Sequence, residues 1–164
     1  MDNKKLNKEL RNQARSLGLC DEWYKEWQKN ESKQDLIRKY IRGIDFCIMH
    51  DYPSLDFARK NFDRRLLCDN GIFLDVMIND KNIPKAILLG NTVGALFYSD
   101  DYVGNVYVRH VSNVSIIAKG ASKVFVETYE NCIVSVKASE EAKVFVYHHS
   151  GEISTEGNVV IRER

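Results

Sequence analysis

A thirteen-residue stretch occurs twice in this chain, the second copy beginning twenty positions after the first. Residues 114–126 read VSIIAKGASKVFV and residues 134–146 read VSVKASEEAKVFV. Each copy contains two short apolar segments separated by a polar turn, so one period holds two strands and two turns. Self-similarity at a fixed period of this length indicates a fold built from repeated structural units.

The repeat predicts a narrow β-solenoid with two sheets. One pair of short strands cannot bury its apolar face alone, whereas stacked copies of the pair can. In such a stack Val124 lies over Val144, and Val114 lies over Val134. The alternative is an antiparallel meander or sandwich, which would also turn every nine or ten residues. A meander, however, gives no reason for side chains to repeat at an offset of two strands.

Weaker copies flank the two clear ones and extend the β region. NVYV at 105–108 aligns at an offset of 18 residues, and NVVI at 158–161 aligns at an offset of 15. If the valines point inward, alternation places Tyr107, Phe125 and Phe145 outward on one sheet. The outward positions of the other sheet are then serines: Ser115, Ser135 and Ser154.

The outward aromatic residues Tyr107, Phe125 and Phe145 are the candidate partner-binding residues. Aromatic side chains in a row make an apolar patch, and such a patch normally has a partner. Two occupants fit the sequence, and the first is the expected one. The helical N-terminal half could cover the row within the same chain, or a second chain or another protein could dock there.

The first 66 residues show helical periodicity instead. Leu6, Leu10, Ala14 and Leu17 recur at spacings of four, four and three on one stripe, and Gly18 is suited to end that helix. Ser32 and Asp35 have the spacing of a capping box at the start of another helix. We therefore predict an α+β protein with a helical segment over 1–66 and a β-repeat domain over 67–164, packed as one unit.

Composition excludes several classes of protein. The net charge is +1, divided as +3 over residues 1–70 and −2 over the remainder, so a nucleic-acid-binding surface is not expected. The first residues contain no apolar run, so neither a signal peptide nor a membrane span is expected. The four cysteines are widely spaced without a Cys-x-x-Cys motif, which favours free thiols in a reducing, cytoplasmic setting.

The sequence contains no motif for a nucleophile, a nucleotide-binding loop or a metal site, and we expect no catalytic residues, metal ligands or cofactor. The leading hypothesis is therefore a non-catalytic protein-interaction or structural module that binds protein or self-associates. The alternative is a small-ligand (nucleotide or metabolite) binding protein or a hydrolase with a pocket between the helices and the solenoid. Its candidate residues are His50, Asp51, Tyr52, Arg64 and Arg65.

In its strand rhythm, residues 86–161 resemble short-rung β-solenoid proteins, including bactofilin-type scaffolds. The resemblance is carried by VSIIAKGASKVFV and VSVKASEEAKVFV. It implies a stacked parallel architecture, and bactofilin-like proteins polymerise through the ends of the solenoid. The large helical half and the polar C-terminal edge of this chain depart from that pattern. The whole chain also resembles small uncharacterised bacterial proteins of the kind carried by phages and mobile elements.

Overall fold

The computed structural model describes residues 2–164, which form N-terminal helices followed by a parallel β-solenoid. The chain divides into two compact units between Leu66 and Leu67. The predicted order, a helical segment followed by a β-solenoid, is confirmed. The antiparallel alternative is wrong, because every strand pair is parallel.

The helices are short, and the longest comes first. Their bounds are α1 Asn3–Ser16, α2 Asp21–Glu26, α3 Lys33–Arg42, α4 Ile44–Met49, α5 Leu55–Asn61 and α6 Arg64–Cys68.

Local sequence explains where several helices begin. The Ser32 hydroxyl accepts a hydrogen bond from the Asp35 backbone, and the Asp35 carboxylate accepts one from the Ser32 backbone, which confirms the predicted capping box. Ser54 caps α5 in a similar way through the Phe57 N–H. Such caps satisfy N–H groups that have no partner inside the helix. α6 was not predicted from the sequence.

The helical unit has its own apolar core. The predicted stripe of α1 is buried at Leu6, Leu10 and Ala14, where it packs with residues that include Trp27 and Leu36. The prediction is wrong for Leu17, the last residue of that stripe: it follows the end of the helix as its C-cap and is exposed. Gly18 has a φ of +95°, the left-handed conformation expected of a residue that ends a helix.

The strands have nearly constant length and spacing. Their bounds are β1 Ile72–Leu74, β2 Met77–Lys81, β3 Lys85–Leu89, β4 Val93–Tyr98, β5 Val103–Val108, β6 Asn113–Ala118, β7 Lys123–Thr128, β8 Ile133–Ala138, β9 Lys143–His148, β10 Glu152–Gly157 and β11 Val159–Glu163. The odd-numbered strands form one sheet in the order β1-β3-β5-β7-β9-β11, which we call the odd sheet. The even-numbered strands form the other in the order β2-β4-β6-β8-β10, which we call the even sheet. The chain thus alternates between two sheets, as a solenoid requires.

The predicted register is confirmed in the centre of the solenoid. Val124 pairs with Val144 on the odd sheet, and Val114 pairs with Val134 on the even sheet. All four valines are at most 2% exposed. Equivalent apolar side chains therefore form continuous ladders between the two sheets, and burying them removes apolar surface from water along the whole stack.

The predicted offset of 18 residues for β5 is wrong. Asn105, and not Tyr107, pairs with Phe125, so β5 and β7 keep the offset of 20. In this register the inward position that Val124 occupies in β7 is taken by Gly104 in β5. A Cβ atom at Gly104 would overlap the ring of Tyr98, coming within 2.8 Å of its Cζ. The buried Tyr98 ring fills the space that a valine side chain at position 104 would occupy. Because β5 lacks this inward valine, its sequence did not reveal the offset of 20 residues to β7.

The corners between strands contain a left-handed residue every ten positions. In the central solenoid these residues are Gly90, Asp100, His110, Gly120, Glu130 and Glu140, with φ between +58° and +66°. Their side chains and amides stack from coil to coil. His110 Nδ1 accepts from the Gly90 N–H at 3.2 Å, Glu130 accepts from the His110 N–H at 2.8 Å, and Glu140 accepts from the Gly120 N–H at 2.7 Å. Corner amides that the turn leaves without a strand partner are satisfied by the following coil.

Among residues 2–164, no helix has the length and apolar character needed to cross a membrane.

Candidate functional site

The outward surface of the odd sheet contains a pair of stacked aromatic rings. Phe125 and Phe145 are directly paired in β7 and β9, with ring centroids 5.3 Å apart and ring planes 14° apart. Both side chains are partly buried. The next outward positions along this ladder are Asn105 on one side and Val160, which is 40% exposed, on the other. The predicted aromatic row is thus a stacked pair with a polar and an aliphatic neighbour.

Tyr107 lies on the same outward surface but on a second ladder, two residues further along the strands. Its partner in β7 is Glu127, and the partner of Glu127 in β9 is Tyr147. The Arg162 and Arg164 guanidinium groups lie 5.7 and 5.2 Å from the centroid of the Tyr147 ring. At this distance a cation is attracted to the face of an aromatic ring. We call the four outward rings Tyr107, Phe125, Phe145 and Tyr147 the aromatic face.

The even-sheet positions that match Phe125 and Phe145 are polar. Ser115 pairs with Ser135, and Ser135 pairs with Ser154, as the alternation predicted. The Ser115 and Ser135 hydroxyl oxygens are 2.8 Å apart and share a hydrogen bond. The two outer surfaces of the solenoid therefore differ in chemistry at equivalent positions, and the aromatic side chains are concentrated on the odd sheet.

Beside the aromatic face, three polar side chains meet at a corner. Tyr129 donates a hydrogen bond to the Glu127 carboxylate, and His149 Nε2 lies 3.5 Å from the same carboxylate. The rings of Tyr129 and His149 stack with centroids 4.3 Å apart. The neighbouring His148 turns to the other side of the strand, where its Nδ1 is 2.9 Å from the Thr128 hydroxyl. The hydrogen bonds and stacking hold these groups in place, and they form a rigid rim next to the stacked phenylalanines.

A partly buried ion pair lies at the preceding corner. The Arg109 side chain is 3% exposed and donates from Nε and Nη2 to the Glu130 carboxylate, which also accepts from the His110 N–H. A buried guanidinium needs such a partner, because its desolvation is otherwise uncompensated. Arg109 is therefore part of the scaffold that supports this region.

The residues of the alternative ligand site occupy the helical unit. The buried Tyr52 hydroxyl donates to the Leu10 carbonyl at 2.8 Å, and burial raises the pKa of that hydroxyl. The His50 ring packs on Phe46 with centroids 4.6 Å apart, while Asp51 is exposed at a left-handed position. These contacts give Tyr52 and His50 structural roles.

The two arginines of that alternative site, Arg64 and Arg65, are exposed on α6. The structure does not assign them a ligand.

A groove of about 500 Å³ lies elsewhere, along α1. Its lining contains five basic side chains and one acidic side chain together with amides: Lys4, Lys5, Lys8, Arg11, Lys29, Asp2, Asn7, Asn12 and Gln28. We call it the basic groove. Sequence reasoning missed it because charge was counted over halves of the chain, whereas the signal is local: KKLNKELR contains four cations and one acid in eight residues.

Positions 2–164 contain no group of three or more His, Cys, Asp or Glu side chains arranged to hold a metal ion. Comparison of the chain with protein-family models, with curated proteins and with solved structures found no match.

Proposed function

We propose that this protein is a non-catalytic protein-interaction module that presents the aromatic face of its solenoid to a partner protein. The observation that carries the proposal is the stacked pair Phe125 and Phe145 on the outer surface of a rigid, in-register sheet. Partly exposed aromatic side chains are enriched where proteins bind one another, because they bury a large apolar area with few rotatable bonds.

The surroundings of the pair support a protein as the occupant. Arg162 and Arg164 lie beside Tyr147, and Glu127 lies between Tyr107 and Tyr147 on the neighbouring ladder. An apolar centre with a charged rim is the usual composition of a protein–protein interface. The phenylalanine rings stack on each other, so they present edges outward and leave little flat ring surface for a sugar to lie on.

The parallel stack also supports a scaffold role. Each strand of the central solenoid is hydrogen-bonded on both sides, and its inward side chains are fully buried. The outward residues are therefore held at the fixed spacing of adjacent strands, about 4.8 Å. A surface of this kind binds without first having to be ordered, which lowers the entropic cost of association.

Two finer proposals accompany the first. The partner is either a second copy of this chain or another protein. The resemblance to small proteins carried by phages and mobile elements supports the proposal that this protein belongs to a phage or a mobile element. The compartment we propose is the cytoplasm, since Cys47 and Cys132 are buried as free thiols, a state that a reducing compartment preserves.

The test replaces both phenylalanines, in Phe125→Asp/Phe145→Asp. The matched control is Ser115→Asp/Ser135→Asp, which places the same charges at the equivalent outward positions of the other sheet. Multi-angle light scattering across a hundredfold range of concentration measures self-association, and photo-crosslinking from position 125 in native cells captures another protein partner. We expect the phenylalanine variant alone to lose the partner, with a melting temperature within a few degrees of the wild type.

Two results would overturn the proposal. In one, the phenylalanine variant unfolds or aggregates while the serine variant does not, which would mean that the aromatic face is covered within the chain. In the other, the wild type is a monomer throughout and position 125 crosslinks to no protein.

A further inference from the structure

The basic groove along α1 concentrates positive charge in a chain that is close to neutral. Five basic side chains and one acidic one give its lining a net charge of +4, in a chain whose net charge is +1, so the remaining residues sum to −3. We propose that this groove binds a small ligand that bears at least two phosphate groups.

The cations of the groove are arranged by the helix. Lys4, Lys8 and Arg11 follow one another at spacings of four and three residues, which places them on one stripe of α1. Lys4 and Lys5 also lie in the first turn, where the helix dipole disfavours positive charge, and no acidic residue occupies that turn. The Asp2 carboxylate caps the helix by accepting from the Lys5 N–H, and it offsets part of the positive charge at the helix start. Repulsion along the stripe remains, and a bound anion would relieve it.

Some basic residues of the helical unit have acidic partners, whereas the lysines of the groove, like Lys25, Lys60, Arg64 and Arg65, have none among the described residues. Arg15, Lys39 and Arg42 form ion pairs with Asp21, Glu31 and Glu26. By contrast, Lys4, Lys5, Lys8 and Lys29 form no ion pair with any residue in the described range 2–164. Their ammonium groups are thus available to an anion.

Arg11 is held in a fixed orientation at the inner wall of the groove. Its guanidinium carbon lies 3.9 Å from the centroid of the Tyr24 ring, and its Nη2 donates to the Tyr24 carbonyl at 3.1 Å. Its Nε is buried without a hydrogen-bond partner among the described residues. A guanidinium held in this way presents its remaining donors without first losing side-chain entropy, and planar donors suit phosphate oxygens.

The size and the charge of the groove define the class of ligand. Its volume of about 500 Å³ lies within the usual range for small-molecule sites, roughly 300–1,000 Å³. Two phosphate groups together bring a charge of about −3 to −4, which matches the net charge of the lining. The amide side chains of Asn12 and Gln28 supply further donors at the wall.

A nucleic acid is a poorer match for this charge distribution. A polynucleotide binds along an extended positive surface, whereas here the groove lining has a net charge of +4 and the remaining residues sum to −3. The geometry therefore favours a compact ligand over a strand.

The test uses inorganic pyrophosphate as the probe, with inorganic phosphate as the single-group comparison. Isothermal titration calorimetry at low salt measures affinity, and amide chemical shifts in NMR spectra locate the site. The variant is Lys4→Gln/Lys8→Gln, and glutamine keeps the helix propensity of lysine. Lys123→Gln/Lys143→Gln is the matched control, because it also removes two exposed lysines that neighbour each other, here on the odd sheet.

We expect pyrophosphate to bind the wild type at least tenfold more tightly than phosphate, and its affinity to fall with added salt. The α1 variant should lose at least tenfold in affinity, the control less than twofold, and the shifted amides should lie in 4–12 and 28–29. The proposal is overturned if pyrophosphate does not bind at 10 mM, if both variants lose equally, or if the shifts lie elsewhere. Tighter binding of a single-stranded RNA than of pyrophosphate in the same groove would also overturn it, in favour of a nucleic-acid site.

Discussion

Individual side chains at the corners decide how firmly adjacent coils are joined. Glu130 has a φ of +58°, a backbone conformation that costs a residue with a Cβ about 1–2 kcal/mol, yet its carboxylate binds the Arg109 guanidinium and the His110 N–H of the coil before it. Glu140 stands at an equivalent place on the opposite corner, and its carboxylate accepts a hydrogen bond from just one described residue, through the Gly120 N–H. The two glutamates share a backbone conformation, but Glu130 binds a guanidinium and an N–H group whereas Glu140 binds an N–H group alone.

The first prediction follows from this difference. Glu130→Ala leaves the buried Arg109 without its counter-charge and should lower the free energy of unfolding of the solenoid by about 2–3 kcal/mol. Glu140→Ala removes one hydrogen bond at an exposed corner and should lower it by about 1 kcal/mol or less. Urea denaturation followed by circular dichroism measures both, and equal losses would show that the ion pair contributes nothing.

The second prediction concerns Gly104, where the repeat pattern calls for valine. Gly104→Val should destabilise the solenoid by about 2–3 kcal/mol, because the new side chain would collide with the buried Tyr98 ring. Adding Tyr98→Ala should recover part of that loss, so a double-mutant cycle should give a favourable coupling. If Gly104→Val is neutral, the explanation for the hidden register is wrong.

At the scale of elements, the sequence predicts much of the solenoid because the inward valines recur in the sequence at the same interval of twenty residues as the coils recur in the structure. Two strands and two corners in twenty residues, with valines inward, predict both the parallel stack and the Val124–Val144 pairing. Prediction fails at β5, where Gly104 stands at the inward position expected to hold a valine and the Tyr98 ring fills the space of that side chain. Tyr107 lies between two valines, as Phe125 does, so the sequence aligned the two although Tyr107 pairs with Glu127. A short pattern such as VYV matches two registers, and only the space around the glycine distinguishes them.

The corners give a prediction at the same scale. Asp100 has a φ of +63° at an exposed position, and within the described range 2–164 its carboxylate accepts a hydrogen bond only from the neighbouring Ser99 hydroxyl. Asp100→Gly should therefore raise the free energy of unfolding by about 0.5–1 kcal/mol, since glycine adopts this conformation without strain. Glu130→Gly relieves the same strain but loses the ion pair, and it should be destabilising. Thermal unfolding of the two variants compares them, and a loss of stability in Asp100→Gly contradicts the argument.

At the scale of the whole molecule, the helical unit and the solenoid each have their own core, and the candidate sites differ in how far the sequence shows them. Three rings of the aromatic face, Tyr107, Phe125 and Phe145, were predicted to point outward because strand alternation sorts residues between two surfaces, and Tyr147 was not among them. The cations of α1 that line the basic groove form a local cluster in the sequence, but the groove itself also needs Gln28 and Lys29 from the segment after α2. Contacts that join distant parts of the chain leave no periodic trace in the sequence.

The stack should be least stable at its last coil. Val126 and Ile161 occupy one inward ladder, but Val126 is fully buried and Ile161 is 44% exposed. Val126→Ala should lower the free energy of unfolding by about 2 kcal/mol, from lost burial and the cavity left behind, and Ile161→Ala by less than about 1 kcal/mol. Amide hydrogen exchange should be faster in β10 and β11 than in β6 and β7. Uniform protection along the solenoid would contradict this gradient.

The corner hydrogen bonds also imply an order in which the coils of the solenoid are completed during synthesis. The amides of Gly90, His110 and Gly120 are satisfied by side chains that lie twenty residues later in the chain. During translation the earlier coil leaves the ribosome first. These corner N–H groups therefore have no side-chain acceptor until the next coil has been synthesised and has paired. Assembly during synthesis is therefore vectorial: every coil serves as the template for the next one and is completed by it.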